Sequence, residues 1–405
     1  MSTEDLIGVF EQIPTPFYYY NLDLLQDTLT RARKVAEKYD YRIHYALKAN
    51  ADKRILELVR KAGMGADCVS GNEVERAVAA GFHPADVFFA GVGKTDHEIR
   101  LALEKGIGCF NVESFEELQV TEQLAREAEY VAPVAIRINP RVDAHTHRYI
   151  TTGTEINKFG ILEEDLDPVF ALLGKSSWLD FKGIHVHIGS QITEMNVFRR
   201  MCERVNDLQN RFSKKGFAVS ILDIGGGLGV DYEHPEENPI PDFELFFETI
   251  HENLNVRRGQ RVHFELGRSL VAQMGDLITS ILYVKKSGPR TFLVVDAGMT
   301  DLIRPALYET EHKIENLSWR RNRINKAGAK VDIVGPVCET ADTFARDLDF
   351  PPSRRGDILA IRSVGAYGQM MSSHYNLRNT ASVVYSDDIQ VKNPTDKHKP
   401  LIAVY

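Results

Sequence analysis

The chain has 405 residues and a net charge of −8 at neutral pH; 43% of its residues are hydrophobic and 26% are charged. This length indicates two domains rather than one, and the composition is typical of a soluble globular protein with a large apolar core. The acidic balance argues against nucleic acid and anionic membrane surfaces as main partners, and no apolar run is long enough to span a bilayer.

Residues 1–20 are predicted to form an extended lead-in. The Ile13-Pro14-Thr15-Pro16 stretch opposes helix formation, and the aromatic run that begins at Phe17 suits a strand. Asn21 is a candidate helix cap, and the amphipathic pattern that follows it continues to Lys38.

From Ile43 onward, short apolar runs alternate with helical patterns, which requires a parallel sheet. Eight such units in about 240 residues fit a closed (β/α)₈ barrel. The alternative is an open doubly wound sheet, but the strand count and the lack of a Gly-x-Gly-x-x-Gly motif after the first strand weigh against it. The predicted strands are Ile43–Lys48, Gly65–Val69, Val87–Ala90, Cys109–Val112, Val134–Ile138, Gly183–His187, Ile221–Ile224 and Val262–Glu265. The predicted helices between them include Ser70–Ala80, Thr95–Glu104, Ser114–Glu127, Met195–Phe212 and Asp242–Asn253.

The pattern changes after Gly267, where strand-like runs are separated by turn residues. We therefore predict a barrel domain over residues 21–267 and a mainly β domain, with a β-barrel fold, over 268–405, which residues 1–20 could join. A charged stretch within 307–328 is expected to be flexible. The predicted strands are Leu277–Val284, Thr291–Ala297, Lys330–Val334, Ile358–Ser363, Ala381–Tyr385, Ile389–Val391 and Leu401–Val404.

Lys48 closes the first predicted barrel strand. Alternation places it on the same face as His44 and Ala46, and an ammonium inside a fold is costly unless it is neutralised. A desolvated lysine condenses with a carbonyl such as the aldehyde of pyridoxal phosphate. The alternative is a lysine that emerges from the strand end into water, and these residues alone leave both possibilities open.

Other candidate residues fall at the carboxyl ends of the barrel strands, which share one mouth. The backbone of Gly225–Gly227 could receive an anion such as a phosphate, or could form a simple tight turn. His187, on the same face as His185, could stack on a flat ring or be a hydrogen-bonded core residue. Glu265 could keep a pyridine nitrogen protonated, or could form a structural ion pair with Arg268.

The predicted β domain adds residues suited to substrate chemistry. Cys338 lies beside Glu339 in a loop marked by glycine and proline, which favours proton transfer, although most cysteines are small inert hydrophobes. Arg304, four residues before Tyr308, could bind a carboxylate through two parallel hydrogen bonds, or could lie on the surface. Tyr367 stands between small residues, where it could contact a ligand or be an ordinary turn tyrosine.

These segments, in this order, resemble the fold-type III pyridoxal-phosphate decarboxylases nearly from end to end. One departure is Leu266, where the family commonly has proline, at a position not expected to touch the cofactor. The resemblance is carried by Tyr45-Ala46-Leu47-Lys48-Ala49-Asn50, Asn157-Lys158-Phe159-Gly160, His185-Val186-His187-Ile188-Gly189-Ser190-Gln191, Gly225–Gly227, Glu265-Leu266-Gly267-Arg268, Gly335–Asp342 and Gly365-Ala366-Tyr367.

The resemblance implies a (β/α)₈ barrel followed by a β domain, a homodimer that shares its active site at the interface, and pyridoxal 5'-phosphate as cofactor. It implies that Lys48 forms the Schiff base, that His187 stacks on the ring and that Glu265 holds the pyridine nitrogen. Cys338 resembles the proton donor, which in the family arrives from the partner subunit. The implied cofactor contacts are Lys48, His187, Ser190, Gly225, Gly226, Gly227, Glu265, Gly267, Arg268 and Tyr367. The implied substrate contacts are Arg268, Arg304, Tyr308, Glu339 and Tyr367.

Within the family, the resemblance is to the branch that decarboxylates meso-2,6-diaminopimelate to L-lysine, the last step of lysine biosynthesis. Arginine and tyrosine suit the far carboxylate of that substrate, and Glu339 suits its far ammonium. One alternative is a decarboxylase that acts on ornithine, arginine or carboxynorspermidine. A racemase is a second, against which Glu265 argues because alanine racemases place an arginine at the pyridine nitrogen. A non-catalytic homologue that binds the cofactor is a third, although it need not keep Cys338, Glu339 and Tyr367 together.

The four cysteines set further expectations. Cys68, Cys109, Cys202 and Cys338 are widely scattered and show no metal-type spacing. The acidic first residues, Met-Ser-Thr-Glu-Asp, do not resemble a signal peptide. We therefore expect a reduced cytoplasmic protein without a metal site.

Overall fold

The computed structural model divides the chain into two compact units. We call them the barrel unit, residues 27–229 and 241–270, and the β unit, residues 1–26, 230–240 and 271–405. Within them the structure describes residues 3–142, 158–322 and 328–389. None of the helices in these ranges is long and apolar enough to cross a membrane.

The chain begins with helix α1 (Thr3–Phe10) and strand β1 (Phe17–Tyr20). The helix shows that the expectation of an extended lead-in over residues 1–20 was wrong before Pro14, because the prolines lie beyond the end of α1 and do not oppose it. The apolar face of α1 drives its formation, since Phe10 packs edge-on against Phe17 and Tyr19 at ring distances of 5.6 and 5.0 Å.

Eight parallel strands close into a barrel in their chain order, which confirms the predicted (β/α)₈ fold and excludes the open sheet. The strands are β2 (Arg42–Ala46), β3 (Gly65–Cys68), β4 (Val87–Phe89), β5 (Cys109–Val112), β6 (Ala132–Arg137), β7 (Leu179–His185), β8 (Ile221–Asp223) and β9 (Arg261–Leu266). The helices around them are α2 (Leu22–Glu37), α3 (Lys53–Lys61), α4 (Gly71–Ala79), α5 (Asp96–Lys105), α6 (Phe115–Glu127), α7 (Leu166–Leu173), α8 (Met195–Lys214) and α9 (Phe243–Asn253).

Polar caps explain where several barrel helices begin. The side chains of Ser70 and Ser114 accept hydrogen bonds from backbone N–H groups in the first turns of α4 and α6. Thr95 and Glu98 form a reciprocal capping box at the start of α5. Each such cap satisfies backbone donors that the helix cannot, and is worth about 1 kcal/mol. The helices predicted to begin at Ser70, Thr95 and Ser114 therefore began one residue early, at the cap itself.

The barrel interior is unusually polar. Asn111 on β5 donates a hydrogen bond to Glu265 on β9 over 3.0 Å, and since these strands are not neighbours, both side chains point into the barrel. The next residue back, Phe264, instead packs edge-on against Phe246 and Phe247 of α9. Barrel interiors are usually filled by branched apolar residues. Here the apolar face of β9 packs against the surrounding helices, and its polar face points into the barrel interior.

After the short helix α10 (Arg268–Val271), the β unit forms an eight-stranded sheet together with β1. Its further elements are β10 (Gly275–Ser287), β11 (Arg290–Val295), α11 (Arg304–Tyr308), β12 (Ile314–Asn316), α12 (Leu317–Asn322), β13 (Ala329–Val334), β14 (Thr343–Phe350), β15 (Ile358–Ile361) and β16 (Ser382–Tyr385). Strand β1 pairs antiparallel with β10 and parallel with β16. The prediction of a separate, mainly β domain that the lead-in strand joins is thus confirmed, whereas the predicted boundary at residue 267 stays a prediction.

Strands β12 and β14 were missed by the sequence analysis. The first has only three residues, and the second carries charged residues that hide its alternation, yet it pairs antiparallel with β13. The predicted strand Leu401–Val404 and the end of Ile389–Val391 lie outside the described residues. The flexibility expected within 307–328 stays a prediction, since residues 323–327 also lie outside them.

Candidate active site

Lys48 lies just beyond β2, on a short 3₁₀ turn formed by Leu47–Ala49 at the carboxyl end of the barrel. The predicted strand was therefore two residues too long. The Lys48 side chain is 38% exposed, and its Nζ donates a hydrogen bond to Asp67 Oδ2 over 2.9 Å. The amine thus lies at the boundary between solvent and the barrel interior, and it is anchored there rather than extended into water.

Asp67 on β3 is the partner of Lys48 that the sequence analysis missed. Its side chain is fully buried. Burial, reinforced by the negative charge of Glu265 and opposed by Lys48, raises the pKa of Asp67 to about 7. A carboxyl group with such a pKa can take up or release a proton beside the amine at neutral pH. Its position at the carboxyl end of the neighbouring strand was the signal that could have identified it.

Glu265 on β9 is 5% exposed. Its Oε1 accepts a hydrogen bond from Asn111, and its Oε2 lies 3.3 Å from His185 Nε2. Burial alone would raise the pKa of Glu265, but the positive charges of His185 and Lys48 outweigh burial and hold this pKa below its usual range. The interior of the barrel therefore contains a fixed carboxylate charge. Asn111 and His185, which orient it, were not predicted as site residues.

His187 follows the end of β7 at His185, so its predicted place within the strand was wrong. Its Nδ1 accepts a hydrogen bond from the Gly226 N–H over 3.2 Å. Burial, followed by the positive charge of Arg137, lowers the pKa of His187 to about 3. The imidazole is therefore neutral with its proton on Nε2, and its flat face is not charged.

The glycines of Gly225–Gly227 are required by close contacts. A Cβ on Gly226 would lie 2.2 Å from the Glu265 carbonyl oxygen, and a Cβ on Gly227 would lie 2.8 Å from that of Gly189. The backbone N–H of Gly225 donates to Asp223 Oδ1 over 3.0 Å. A φ of +68° at Gly225 and +105° at Gly227 also favours glycine. We call this segment the glycine loop.

Two further predicted residues lie near one another after the strands. Arg268, at the start of α10, is 5% exposed, and its Nε donates a hydrogen bond to Ser190 Oγ over 3.1 Å. Gly267 is required here as well, because a Cβ on it would lie 3.1 Å from the Cβ atoms of both Ala46 and Ala49 beside Lys48. The segment after β9 therefore packs directly against the turn that carries the lysine.

A cavity of about 420 Å³ opens at this end of the barrel. Lys48, His187 and Glu265 all line it, so the structure brings together three of the predicted catalytic residues. Its volume lies within the range of about 300–1,000 Å³ that is typical of small-molecule sites. The lining residues are Lys48, Val69, Ala90, Gly91, Val92, Gly93, Arg137, Phe159, His187 and Glu265.

Arg137 at the end of β6 is a lining residue that was also missed. Its guanidinium donates a hydrogen bond to the buried Glu113 and lies 4.8 Å from the centre of the Phe159 ring. Glu113 also accepts the Gly160 N–H over 3.0 Å, which ties the Lys158–Gly160 segment to the wall of the cavity. Of the motif that carried the family resemblance here, Asn157 lies outside the described residues.

In the β unit, Arg304 is only 2% exposed, so its expected alternative as a surface arginine is wrong. Its Nη1 lies 2.8 Å from His312 Nε2, and its guanidinium stacks 4.7 Å from the centre of the Tyr232 ring. Ring stacking and a nitrogen partner hold the planar guanidinium in one orientation. Tyr308 ends the same short helix, α11, and is half-buried.

Cys338 and Glu339 are exposed on the loop between β13 and β14. The Cys338 N–H donates to Asn376 Oδ1 over 2.9 Å, and the Tyr375 hydroxyl donates to Glu339 Oε1 over 2.6 Å. The loop is closed by Asp342, whose Oδ2 accepts the Val337 N–H over 2.6 Å. The backbone of the loop is thus well anchored, whereas its reactive side chains are open to solvent.

Tyr367 occupies a turn in which the backbone is crowded. Its φ is +62°, which is uncommon for a bulky residue. A Cβ on Gly365 would lie 2.0 Å from the Val271 carbonyl oxygen, and one on Gly368 would lie 2.6 Å from that of Val364. Small neighbours are therefore required for this turn, and the strained tyrosine is the kind of residue that clusters at functional sites.

Comparison with known proteins agrees with this geometry. Residues 23–272 match the family model described as the pyridoxal binding domain of pyridoxal-dependent decarboxylases. The chain is 47% identical over 384 residues to the diaminopimelate decarboxylase of Bacteroides thetaiotaomicron, covering 95% of this chain and 98% of that protein. It is 41% identical over 385 residues to that of Pseudomonas aeruginosa, covering 95% and 91%. The crystal structure of Helicobacter pylori diaminopimelate decarboxylase complexed with L-lysine has a TM-score of 0.87 at 38% identity, covering 93% of both chains.

Proposed function

Because the chain belongs to the diaminopimelate decarboxylases, within the family of pyridoxal-dependent decarboxylases, we propose that it converts meso-2,6-diaminopimelate to L-lysine and carbon dioxide with pyridoxal 5'-phosphate. The reaction is the last step of lysine biosynthesis, and it makes the chain a carboxy-lyase. The observation that carries the residue assignments is the anchored Lys48 amine in a cavity that Glu265 and His187 also line.

The residues present fit the cofactor. The glycine loop leaves no space for side chains, and the cavity of about 420 Å³ can enclose a small aromatic ring. Lys48 would hold the aldehyde carbon, His187 the ring face and Glu265 the pyridine nitrogen. The remaining contacts would come from Ser190, Gly225, Gly226, Gly227, Gly267, Arg268 and Tyr367. When bound, pyridoxal phosphate supplies an electron-withdrawing ring that accepts the electron pair left when carbon dioxide departs.

Lys48 and Asp67 form a proton-sharing pair. A lysine acts as a nucleophile only when its amine is neutral. Asp67 Oδ2 accepts a hydrogen bond from Lys48 Nζ over 2.9 Å, and with a pKa of about 7 it can take the proton that the amine must lose. We therefore assign Asp67 to this step, for which the sequence had indicated no residue.

Glu265 provides a permanent negative charge. Asn111 donates a hydrogen bond to one of its oxygens and the His185 ring lies within ion-pair distance of the other, so both neighbours favour one orientation of the carboxylate. An ionised acid at this position favours a protonated pyridine nitrogen, which withdraws electrons most strongly. Burial lowers the pKa of His185, but the negative charges of Glu265 and Asp223 outweigh burial and raise this pKa above its usual value. A protonated His185 stabilises the Glu265 charge inside the barrel.

The β unit would supply the proton donor and the groups that bind the far end of the substrate. Cys338 would protonate the carbon from which carbon dioxide has left, acting across a homodimer interface as in the family. Arg304, held by ring stacking, with Tyr308 and Arg268 would bind the far carboxylate, and Glu339 would bind the far ammonium. Substrates without the far carboxylate should be rejected strongly, because Arg304 would then be left buried without an anion.

The cysteines favour a reducing compartment, and we propose the cytoplasm. All four are free thiols, and three of them are buried. Unbridged thiols of this kind are typical of proteins in reducing compartments.

Product analysis tests the proposal directly. The holoenzyme is incubated with meso-diaminopimelate or with ornithine, and released carbon dioxide and the amino-acid product are measured. We expect L-lysine from the first substrate and at least about a thousand-fold lower rate with the second. Comparable release from ornithine would favour the related basic amino-acid decarboxylases. Bound cofactor without carbon dioxide release from any basic amino acid would favour a non-catalytic homologue.

A further inference from the structure

A second cavity, of about 660 Å³, opens at the amino-terminal end of the barrel strands, the end away from Lys48. We call it the amino-end cavity. The first residues of the strands line it, among them Arg42 and His44 of β2, Gly65 of β3 and Arg261 and His263 of β9. This end of a barrel ordinarily serves stability alone, so a cavity larger than the candidate active site requires an explanation.

Two buried histidines form a relay in the wall of this cavity. His44 Nδ1 lies 3.2 Å from the Asp86 carbonyl oxygen, and His44 Nε2 lies 2.7 Å from His263 Nδ1. A carbonyl oxygen only accepts, so His44 must carry its proton on Nδ1 and accept at Nε2 from His263 Nδ1–H. His263 Nε2 is then left as an acceptor. This buried atom has no hydrogen-bond partner among the residues that the structure describes, and His263 as a whole is 7% exposed.

Other features keep this relay neutral and fixed. Burial, followed by the neighbouring His44, lowers the pKa of His263 to about 2, and burial also lowers the pKa of His44. The Phe88 ring stacks on His263 with a centroid distance of 5.1 Å. A Cβ on Gly65 would lie 2.6 Å from His44 Nδ1, so glycine is required beside the relay. An unpartnered buried acceptor is costly, and a ligand that donates a hydrogen bond would remove that cost.

Positive charge surrounds the acceptor. Arg42 is the register partner of His263 across β2 and β9, and Arg261 precedes His263 by two positions, so both side chains start on the face that His263 occupies. Arg42 has a loose ion pair with Asp40 at 3.8 Å, and Arg261 has none within the described parts of the chain. The other two cationic lining residues are already paired, Lys182 with Asp180 and Arg33 with Glu37.

We propose that the amino-end cavity binds a small oxyanion that retains an O–H group, such as hydrogen phosphate or a hydroxycarboxylate. Arg42 and Arg261 contact the negative oxygens, and the O–H donates to His263 Nε2. Gly63 and Gly259 leave the entrance open, because a Cβ on either would meet no atom within 4 Å. Sulfate resembles phosphate in shape and charge but has no O–H at neutral pH, so it can make only the first kind of contact. This site is independent of the decarboxylation proposed above.

Calorimetric titration of the holoenzyme tests the proposal. Inorganic phosphate, sulfate and L-malate are compared in a buffer free of other oxyanions, and the cofactor absorbance is followed to show that the active site stays filled. We expect phosphate or malate to bind at least ten-fold more tightly than sulfate. The comparison of phosphate with malate identifies the class of ligand. Tighter binding of malate indicates a hydroxycarboxylate, and tighter binding of phosphate indicates a phosphate.

Variants locate the binding. The exchange of both arginines, Arg42→Gln with Arg261→Gln, should weaken phosphate binding at least ten-fold. The matched control is Arg258→Gln, since Arg258 is exposed on the turn just before β9 but does not line the cavity. His263→Phe should remove the preference over sulfate. If that variant fails to fold, the ratio of the phosphate affinity to the sulfate affinity of the unmutated protein still tests the proposal.

Three results would overturn the proposal: no heat of binding with any of the three anions, sulfate binding as tightly as both phosphate and malate, or unchanged affinity in the double arginine variant. None of them would affect the proposed decarboxylation, which is measured with a different substrate and at the other end of the barrel.

Discussion

The barrel unit and the β unit prepare their candidate residues in opposite ways. In the barrel unit, Lys48 and Glu265 are bound by partners in the buried interior, and burial shifts the pKa of the groups around them. In the β unit, Cys338 and Glu339 project from a loop whose backbone is anchored but whose side chains are exposed. The comparison teaches that burial and charged neighbours set the charge states of Asp67 and Glu265 in the barrel unit, whereas the loop of the β unit fixes the backbone positions of Cys338 and Glu339 without burying their side chains.

The largest effect should come from the anchored amine. Lys48→Ala removes the one lysine among the described residues that line the cavity, so we expect activity to fall more than about a thousand-fold and the visible absorbance of the bound cofactor to disappear. Spectra and turnover of the purified variant measure both. Lys53→Ala, on the exposed start of α3, is the control. Turnover that survives in Lys48→Ala would show that the barrel does not hold the cofactor through this residue.

The next effect tests the exposed thiol of the β unit. Cys338→Ala should lower kcat by about a hundred-fold, because proton transfer loses its donor, while the cofactor absorbance is unchanged since the barrel site is intact. Single-turnover kinetics separate the protonation step from binding. The buried Cys202, replaced by alanine, serves as the control for loss of a thiol. An unchanged kcat in Cys338→Ala would remove the β unit from the proton transfer.

A smaller effect concerns the buried carboxyl groups of the barrel. Burial, with a further contribution from Glu265, raises the pKa of Asp223 from 3.8 to about 8. The folded state therefore binds this proton more tightly than the unfolded state does, and the stabilisation is full below about pH 4 and is lost as the pH rises through 8. Asp223→Asn should reduce this loss of stability at high pH. One pKa unit corresponds to roughly 1.4 kcal/mol, and because Glu265 also contributes to the shift, the total loss amounts to a few kcal/mol at most.

Urea unfolding at pH 5 and pH 8.5 measures this difference in the free energy of unfolding. Asp180→Asn is the matched control, because Asp180 is half exposed and pairs with Lys182 on the surface. An unchanged pH dependence in Asp223→Asn would mean that burial does not set the charge states of the barrel interior.

The smallest effect is expected in the β unit. Tyr375→Phe removes the hydroxyl that donates to Glu339 Oε1, and loss of one exposed hydrogen bond should raise KM for meso-diaminopimelate by roughly two- to ten-fold without changing kcat. Steady-state kinetics with Tyr283→Phe as an exposed control measure it. A large fall in kcat would show that the loop is as tightly organised as the barrel interior.

The barrel could be predicted because its evidence is local and repeated. Strand runs, caps such as Ser70 and Ser114, and eight alternating units are all visible within short windows of sequence. The same local evidence failed for α1, where two nearby prolines suggested extended chain, and for β14, where charged residues conceal the alternation.

The site residues that were missed depend on distant contacts. Asp67 also stands near a strand end, but its contact with Lys48 follows only from the pairing of β2 with β3, and the orientation of Arg304 depends on Tyr232 and His312 from other segments. Neither contact leaves a local pattern. The candidates that were predicted, such as Lys48 and Glu265, stand at strand ends, where chain order alone indicates a common mouth.

The glycine loop has a consequence for how a phosphate group can be held. Two of its three amide protons are already committed, that of Gly225 to Asp223 and that of Gly226 to His187. Gly227 alone among them lacks an acceptor in the described chain. The first two glycines thus attach the loop to β8 and to the imidazole. In the proposed function, a phosphate would therefore obtain one backbone donor from this loop, beside the proposed contacts Arg268 and Ser190.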